Sequence, residues 1–245
     1  MSDDAFLRLN ALPPLDPQAP LDQKTARARA VLAACAQSPL RRACAFTGGK
    51  DSTVALRLWL DALAGRDETG APLALSVDTG LKFPQVTAFR DRLCADWSVA
   101  LTLARPQVDL AAYPVARDHV SCCRDLKIRP LGNALRETGV GLLITGLRRD
   151  EHPSRALRPY FEHREETEDM PAHWQANPVL DFTEMDVWAF LTGGGLPYCE
   201  LYHEGYRSLG CMPCTRKAGA EGDERAGRAG EKERQLDVLK GLGYF

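Results

Sequence analysis

Thr47-Gly48-Gly49-Lys50-Asp51-Ser52, within "CAFTGGKDSTVALRLWL" over 44–60, joins an apolar run to a stretch of helical spacing. Glycines between a strand and a helix leave backbone N–H groups open to an anion, because no Cβ screens them. The helix that follows turns the positive end of its dipole to the same point. Ser52 adds a hydroxyl and Lys50 an ammonium for phosphate oxygens. The competing reading is a turn that only reverses the chain. Asp51 and Asp78 have the chemistry to hold Mg²⁺ on nucleotide phosphates, and Asp51 equally suits a helix cap. Arg148 and Arg149 follow an apolar run directly, and their planar forks match sulfate or phosphate oxygens. Arg225 and Arg228 lie far downstream, placed to close over a ligand. The alternative for all four arginines is a solvated charged surface. Cys122, Cys123, Cys211 and Cys214 stand in two short stretches, "SCCRDLK" and "GCMPCTR". The five histidines show no ligand spacing.

The elements that must position these groups follow from periodicity. "ACAFTGG", "LALSVDTG", "VALTLARP" and "GLLITGLRR" are apolar runs of strand length, each followed by turn residues or polar helix. That alternation predicts an α/β domain with a parallel sheet, five-stranded and covered by helices on both faces. Ligands of such sheets bind beyond the carboxyl ends of the strands, where Gly48, Asp78, Arg105 and Arg148 fall. Residues 1–21 read as an irregular leader, with prolines from 13 to 20. "DQKTARARAVLAACAQS" reads as a helix capped by Asp22, and 22–216 as the domain. The charged stretch 148–177 has no clear period and is too long for a passive connector. A helix follows it, with Thr183 as N-cap and Asp186 closing a capping box. Residues 217–245 are glycine- and charge-rich and read as a flexible tail unless a ligand or partner orders them.

Composition bounds the rest. The chain has 245 residues, 44% of them hydrophobic, and a net charge of −2. That balance argues against a nucleic-acid-binding surface. No basic start leads into an apolar segment, and no apolar run reaches the length of a membrane span. The reading is cytoplasmic, where the eight cysteines are thiols, metal ligands or redox groups rather than disulfides. Cys35, Cys44 and Cys94 lie on apolar patterns and read as core.

The glycine turn is not a P-loop, because Asp51 follows the lysine. It resembles the Ser-Gly-Gly-x-Asp-Ser signature of the PP-loop ATP pyrophosphatase superfamily, with Thr47 in place of the first serine. "VDTGLKFPQVTAFRDRL", with Asp78 and Thr79, "ITGLRRDEHPSR", with Gly146, and "NPVLDFTEMDVWAFL" resemble one branch of it. That branch contains phosphoadenylyl-sulfate reductase, adenylyl-sulfate reductase and the small subunit of ATP sulfurylase. The resemblance covers most of 44–216 and implies an adenine nucleotide α-hydrolase-like fold. It implies nucleotide contacts at Thr47, Gly48, Gly49, Ser52, Asp78, Thr79 and Gly146, with Lys50, Asp51, Arg148 and Arg149 as catalytic groups. Arg155 and Arg216 become further contacts to the substrate anion beside Arg225 and Arg228.

The resemblance points two ways. The cysteine stretches are similar to the iron–sulfur adenylyl-sulfate reductases, which implies a [4Fe–4S] cluster on Cys122, Cys123, Cys211 and Cys214 with Lys127 beside it. Structural zinc, or no metal, are the other readings of that set. The complete loop, "RRDEHPSR" and the "ERAGR…GLGYF" end are more similar to the sulfurylase subunit. Reductases of this branch use a cysteine from a C-terminal Glu-Cys-Gly-Leu-His segment, and no cysteine follows Cys214 here. The leading expectation is therefore ATP-dependent adenylyl transfer to a sulfate-like oxyanion, with Mg²⁺ and Lys50 stabilising the leaving pyrophosphate. The alternatives are reduction of adenylyl sulfate using Cys199 or an external thiol, a non-catalytic nucleotide-binding subunit, and ATP-dependent sulfur insertion. The implied partners are a GTPase subunit or a thiol reductant protein, and a homo-oligomer is left open.

Overall fold

The structure, a computed structural model, describes residues 2–66, 70–218 and 222–243. Six strands form one sheet: β1 (Arg42–Ala45), β2 (Leu73–Val77), β3 (Ala100–Ala104), β4 (Leu142–Ile144), β5 (Phe161–Arg164) and β6 (His173–Ala176). Their order is β3-β2-β1-β4-β6-β5. Five strands are parallel, and β5 pairs antiparallel with β6 at the edge, Phe161 opposite Ala176. The sheet thus has one strand more than the expected five. Both β5 and β6 lie in the charged stretch 148–177, and each is only four residues long, too short to show a period.

The described helices are α1 (Ser2–Asn10), α2 (Leu21–Gln37), α3 (Lys50–Leu63), α4 (Pro84–Asp96), α5 (His119–Cys123), α6 (Arg129–Thr138), α7 (Glu184–Gly193), α8 (Gly230–Arg234) and α9 (Leu236–Gly241). Strand alternation divides the core between the two faces of the sheet. Cys44, Leu142 and Ile144 point to one side, with Val31, Leu32, Val54 and Leu58 of α2 and α3. Ala43, Ala45 and Leu143 point to the other, with Leu131 and Leu135 of α6 and Leu236 and Leu239. Cys35, Cys44 and Cys94 are buried in the first of these cores.

Three expectations are corrected. The leader is irregular over 11–20 but not before: α1 stacks Phe6 on Phe161 with ring centroids 3.9 Å apart, and its edge meets Trp174 at 5.2 Å. Asp22 does not cap α2; Pro20 takes that position and Asp22 sits in the first turn. The described part of 217–245 folds onto the domain, burying Glu224, Arg225, Arg228 and Lys232 with Leu236 and Leu239. Composition registers those charges as a solvated run because it does not show the opposite charges they meet. The final Tyr244-Phe245 lies outside the described residues. The capping box of Thr183 and Asp186 is present, and its Asp186 also bonds Lys24 of α2 at 2.5 Å.

Between α5 and α6 the chain stays helical but widens into a π turn over Arg124–Ile128. Such insertions are frequent at functional sites. Asp169 spans this one, accepting from Arg124 Nε and, at 2.7 Å, from Arg129 Nε. Gly132 lets that contact form, since a Cβ there would fall on the Asp169 carbonyl.

Candidate functional site: a glycine loop, an ionic ring and an arginine-lined cleft

The glycine loop leaves β1 and enters α3. Gly48 holds φ +79°, and a Cβ there would press on Val86 at 3.0 Å, so both conformation and space require glycine. The hydroxyls of Thr47 and Ser52 meet at 3.1 Å, and Ser52 Oγ donates to the Gly49 carbonyl at 2.9 Å. Tyr202 accepts from the Lys50 amide at 2.8 Å, placing an oxygen at the first turn of α3 where a ligand oxygen would serve. Gly146, after β4, touches the same turn, and a Cβ on it would lie 2.7 Å from Ser52 N.

Lys50 and Arg148 do not face the opening. The Lys50 ammonium donates to the Arg207 carbonyl at 2.9 Å and to Glu224, and lies 3.5 Å from Asp51. Arg148 bonds Asp51 at 2.7 Å, Asp150 at 3.0 Å and the second oxygen of Glu224. Lys50, Glu224, Arg148 and Asp51 therefore close an ionic ring, and both cationic side chains are fully buried. Burial disfavours charge on Lys50, but Asp51, Tyr202 and Glu224 outweigh it and hold the ammonium protonated. Arg149 is turned away, paired with Asp181 and stacked over Tyr160 at 5.1 Å. In the structure these three expected catalytic cations are held by carboxylates behind the cleft and do not contribute to its lining.

The open space lies beside that ring, at the carboxyl ends of β1 and β4. Thr47, Gly49 and Ser52 form one wall, Thr145, Gly146 and Tyr202 another. Arg155, Arg225 and Arg228 face them. Glu151 bridges Arg155 and Arg225, and those guanidinium groups hold its carboxyl far below the usual range although burial opposes this. Arg228 differs. It is 8% exposed, meets Thr215 only at 3.5 Å, and its Nε has no partner. Gly210 makes room for it, since a Cβ there would overlap the guanidinium. A buried guanidinium whose Nε has no partner suits an anionic ligand.

Arg228 also borders a second cleft shared with Thr47, Lys82 and Lys127, on the side of the cysteines. Cys122, Cys123, Cys211 and Cys214 come within electrostatic reach of one another. Burial raises the Cys211 thiol, but Lys127 and Lys82 and a 3.3 Å contact to Thr79 outweigh it and bring it to about 7. Among the described residues no three His, Cys, Asp or Glu side chains are close enough to hold a single metal ion. The two cysteine stretches thus lie on one side of the cleft, and thiolates are the ligand chemistry of zinc and iron–sulfur groups alike.

The Mg²⁺ expectation does not fit. Asp51 faces Arg148 and Lys50, while Asp78 accepts from Gly80 at 3.2 Å and lies within 3.8 Å of Arg90 and Arg105. Each carboxylate is already answered by cations or N–H groups, so the pair makes no hard-cation site. Thr79 reaches Cys211 rather than the cleft, and Arg216 is exposed beside Cys214, bordering a separate hollow with His119. Cys199 has no solvent exposure and burial raises its thiol, so it is packing rather than a nucleophile. Tyr202, Glu151 and Glu224 were not foreseen. Their only signal was proximity in sequence, Glu224 directly before Arg225 and Tyr202 inside "CELYHEGY".

The molecule is thus a mainly parallel sheet covered by helices on both faces, with a glycine loop at the carboxyl end of β1 and arginines across the cleft from it. Residues 41–217 match the phosphoadenosine phosphosulfate reductase domain, and the chain belongs to that family. It is 33% identical over 171 residues to an adenosine 5′-phosphosulfate reductase of Burkholderia cepacia, covering 65% of this chain and 66% of that protein. It is 36% identical over 118 residues to the Neisseria meningitidis serogroup B protein of that name, covering 48% and 46%. The chain thus spans less than two thirds of the length of these relatives. In fold it is similar to phosphoadenylyl-sulfate reductase from Candida auris, with TM-score 0.62, 22% identity, and 82% and 98% of the two chains covered. Candida glabrata FMN adenylyltransferase gives TM-score 0.65 at 16% identity, covering 88% and 70%. No described helix is long and apolar enough to cross a membrane.

Proposed function

We propose that the chain binds a sulfonucleotide of the adenylyl-sulfate type and presents its sulfur to a thiol for reduction. One observation carries this reading: Arg228, buried and with an unpartnered Nε, lies across the cleft from the glycine loop, on the side nearest the cysteines. The 5′-phosphate would lie against the amides of the loop, and the sulfonate against Arg228 with Arg155 and Arg225 behind it. A thiolate attacks the sulfur and the S–O bond to the phosphate breaks, so AMP leaves and the sulfonate is carried on the attacking sulfur. A second thiol displaces sulfite and leaves a disulfide, which balances the two electrons. Arg228 would stabilise the charge moving onto the leaving phosphate oxygen.

Cys199 is sealed in the core, so the attacking thiol in this reading comes from a thiol reductant protein. Cys122, Cys123, Cys211 and Cys214 would hold a [4Fe–4S] cluster, with Lys127 beside it. When bound, it would tie the two cysteine stretches together beside the cleft, and Lys127 and Lys82 would offset the negative charge of its thiolates. The family relatives and the burial of Lys50 support reduction over adenylyl transfer, because the transfer reading needs that ammonium at the pyrophosphate. The test gives anaerobically prepared protein adenylyl sulfate with a dithiol reductant, and separately ATP with sulfate. Release of sulfite in the first mixture is expected. Pyrophosphate from the second, without sulfite from the first, would overturn the proposal.

A further inference from the structure

We infer that Glu224 is a specificity-determining residue: it occupies the loop lysine and so keeps the glycine loop from favouring nucleotides that carry a polyphosphate. The inference rests on the reading of the cleft as an adenine-nucleotide site. Lys50 is the only cation within the loop sequence itself, and its side chain is fully buried. Its donors are directed to the Arg207 carbonyl and Glu224, with Asp51 at 3.5 Å, Glu184 at 3.9 Å and the Tyr202 ring centroid at 5.5 Å. Lys50 is absent from the lining of the cleft, although Gly49, Asp51 and Ser52 on either side of it are present.

The carboxylate of Glu224 bonds Lys50 with one oxygen and Arg148 with the other. It comes from the segment after residue 216, far from the loop in sequence, so the chain closes on itself at this point. A β,γ-diphosphate on the loop would set further negative charge against Glu224 and Asp51 without gaining the ammonium. Like charges brought together out of water repel, and such repulsion offsets what the loop amides offer the added phosphates. A nucleotide with one phosphate and a neighbouring sulfonate avoids the conflict, because its second anionic group meets Arg228 on the other wall. Discrimination thus arises from repulsion as much as from attraction.

Titration calorimetry on the full chain with AMP and with ATP tests this. In the unaltered protein ATP should bind within about threefold of AMP. Glu224→Gln keeps shape and removes charge, so it should tighten ATP by at least about tenfold while AMP moves less than threefold. In Lys50→Met/Glu224→Gln that gain should vanish, since the released ammonium is its source. Unaltered protein that binds ATP about tenfold or more tightly than AMP overturns the inference without any variant. So does an unchanged ATP affinity in Glu224→Gln, or a gain that survives loss of Lys50. Absent binding of AMP and ATP alike overturns both this inference and the proposed function. Absent sulfite release with the expected ATP pattern overturns only the latter.

Discussion

Arg228 is suited to the proposed anion contact by its surroundings: a glycine beneath the guanidinium, a distant threonine hydroxyl, and an Nε with no partner among the described residues. Removing one charge-assisted contact of this kind typically costs about 1.5–3 kcal/mol. Arg228→Ala should therefore weaken adenylyl sulfate about 10- to 100-fold by calorimetry. Gly210→Ala should reproduce much of that loss by displacing the guanidinium, and Arg228→Lys should not restore it, because an ammonium lacks the fork. Cys211→Ser tests the neighbouring cluster. Iron content and visible absorption of anaerobically prepared protein should fall together, while an unchanged spectrum would remove Cys211 from the ligand set.

Two elements hold the site from behind, the π turn and the strand that follows α6. Asp169 bonds Arg124, the first residue of the widened turn and next to Cys123, and Arg129 just after it. Burial opposes its charge, yet the two arginines hold its carboxyl below the ordinary value. A carboxyl depressed on folding stabilises the protein above its unfolded pKa, and that contribution is lost as pH falls through the native one. Asp169→Asn should cost about 1 kcal/mol at pH 7, the arginines being partly solvated. The gap in urea midpoint between the two proteins should then close on acidification below the normal carboxylate range. A gap that persists there would place its origin elsewhere.

Gly146, at the end of β4, belongs to the same scale: Gly146→Ala should drive the strand end from the loop and abolish nucleotide binding. What the sequence showed of these elements follows from length and period. The four apolar runs were legible by composition and length, with β1, β2 and β4 buried along nearly their whole course and β3 less so, and the loop between β1 and α3 by its paired glycines. β5 and β6 were not, being short and polar. The ligand-facing arginines were legible by type, but Arg148 and Arg149 could not be told from Arg155, Arg225 and Arg228. That distinction depends on which side chains reach the cleft, and Asp51, Asp181 and Glu224, which hold Arg148 and Arg149 behind it, come from remote segments.

At the scale of the molecule, the ends of the described chain serve as packing elements. Phe6 fills a slot between Phe161 and Trp174 and has no exposure. Phe6→Ala should cost about 3–5 kcal/mol in chemical unfolding, by lost burial and the cavity left behind. The effect on nucleotide affinity should be small, since the slot lies at the outer edge of the sheet.

The strand order also has a cost during synthesis. β1 pairs on one side with β2, Cys44 beside Ala74, and on the other with β4, Cys44 beside Ile144. One flank of the central strand therefore waits for residues about a hundred positions later, roughly 5–20 s at ordinary ribosome speed. Throughout that interval a nascent chain displays unpaired amides and carbonyls next to an apolar surface. A ribosome-bound intermediate halted near residue 140 should consequently recruit chaperones or cross-link to its neighbours, whereas one released beyond residue 180 should resist both.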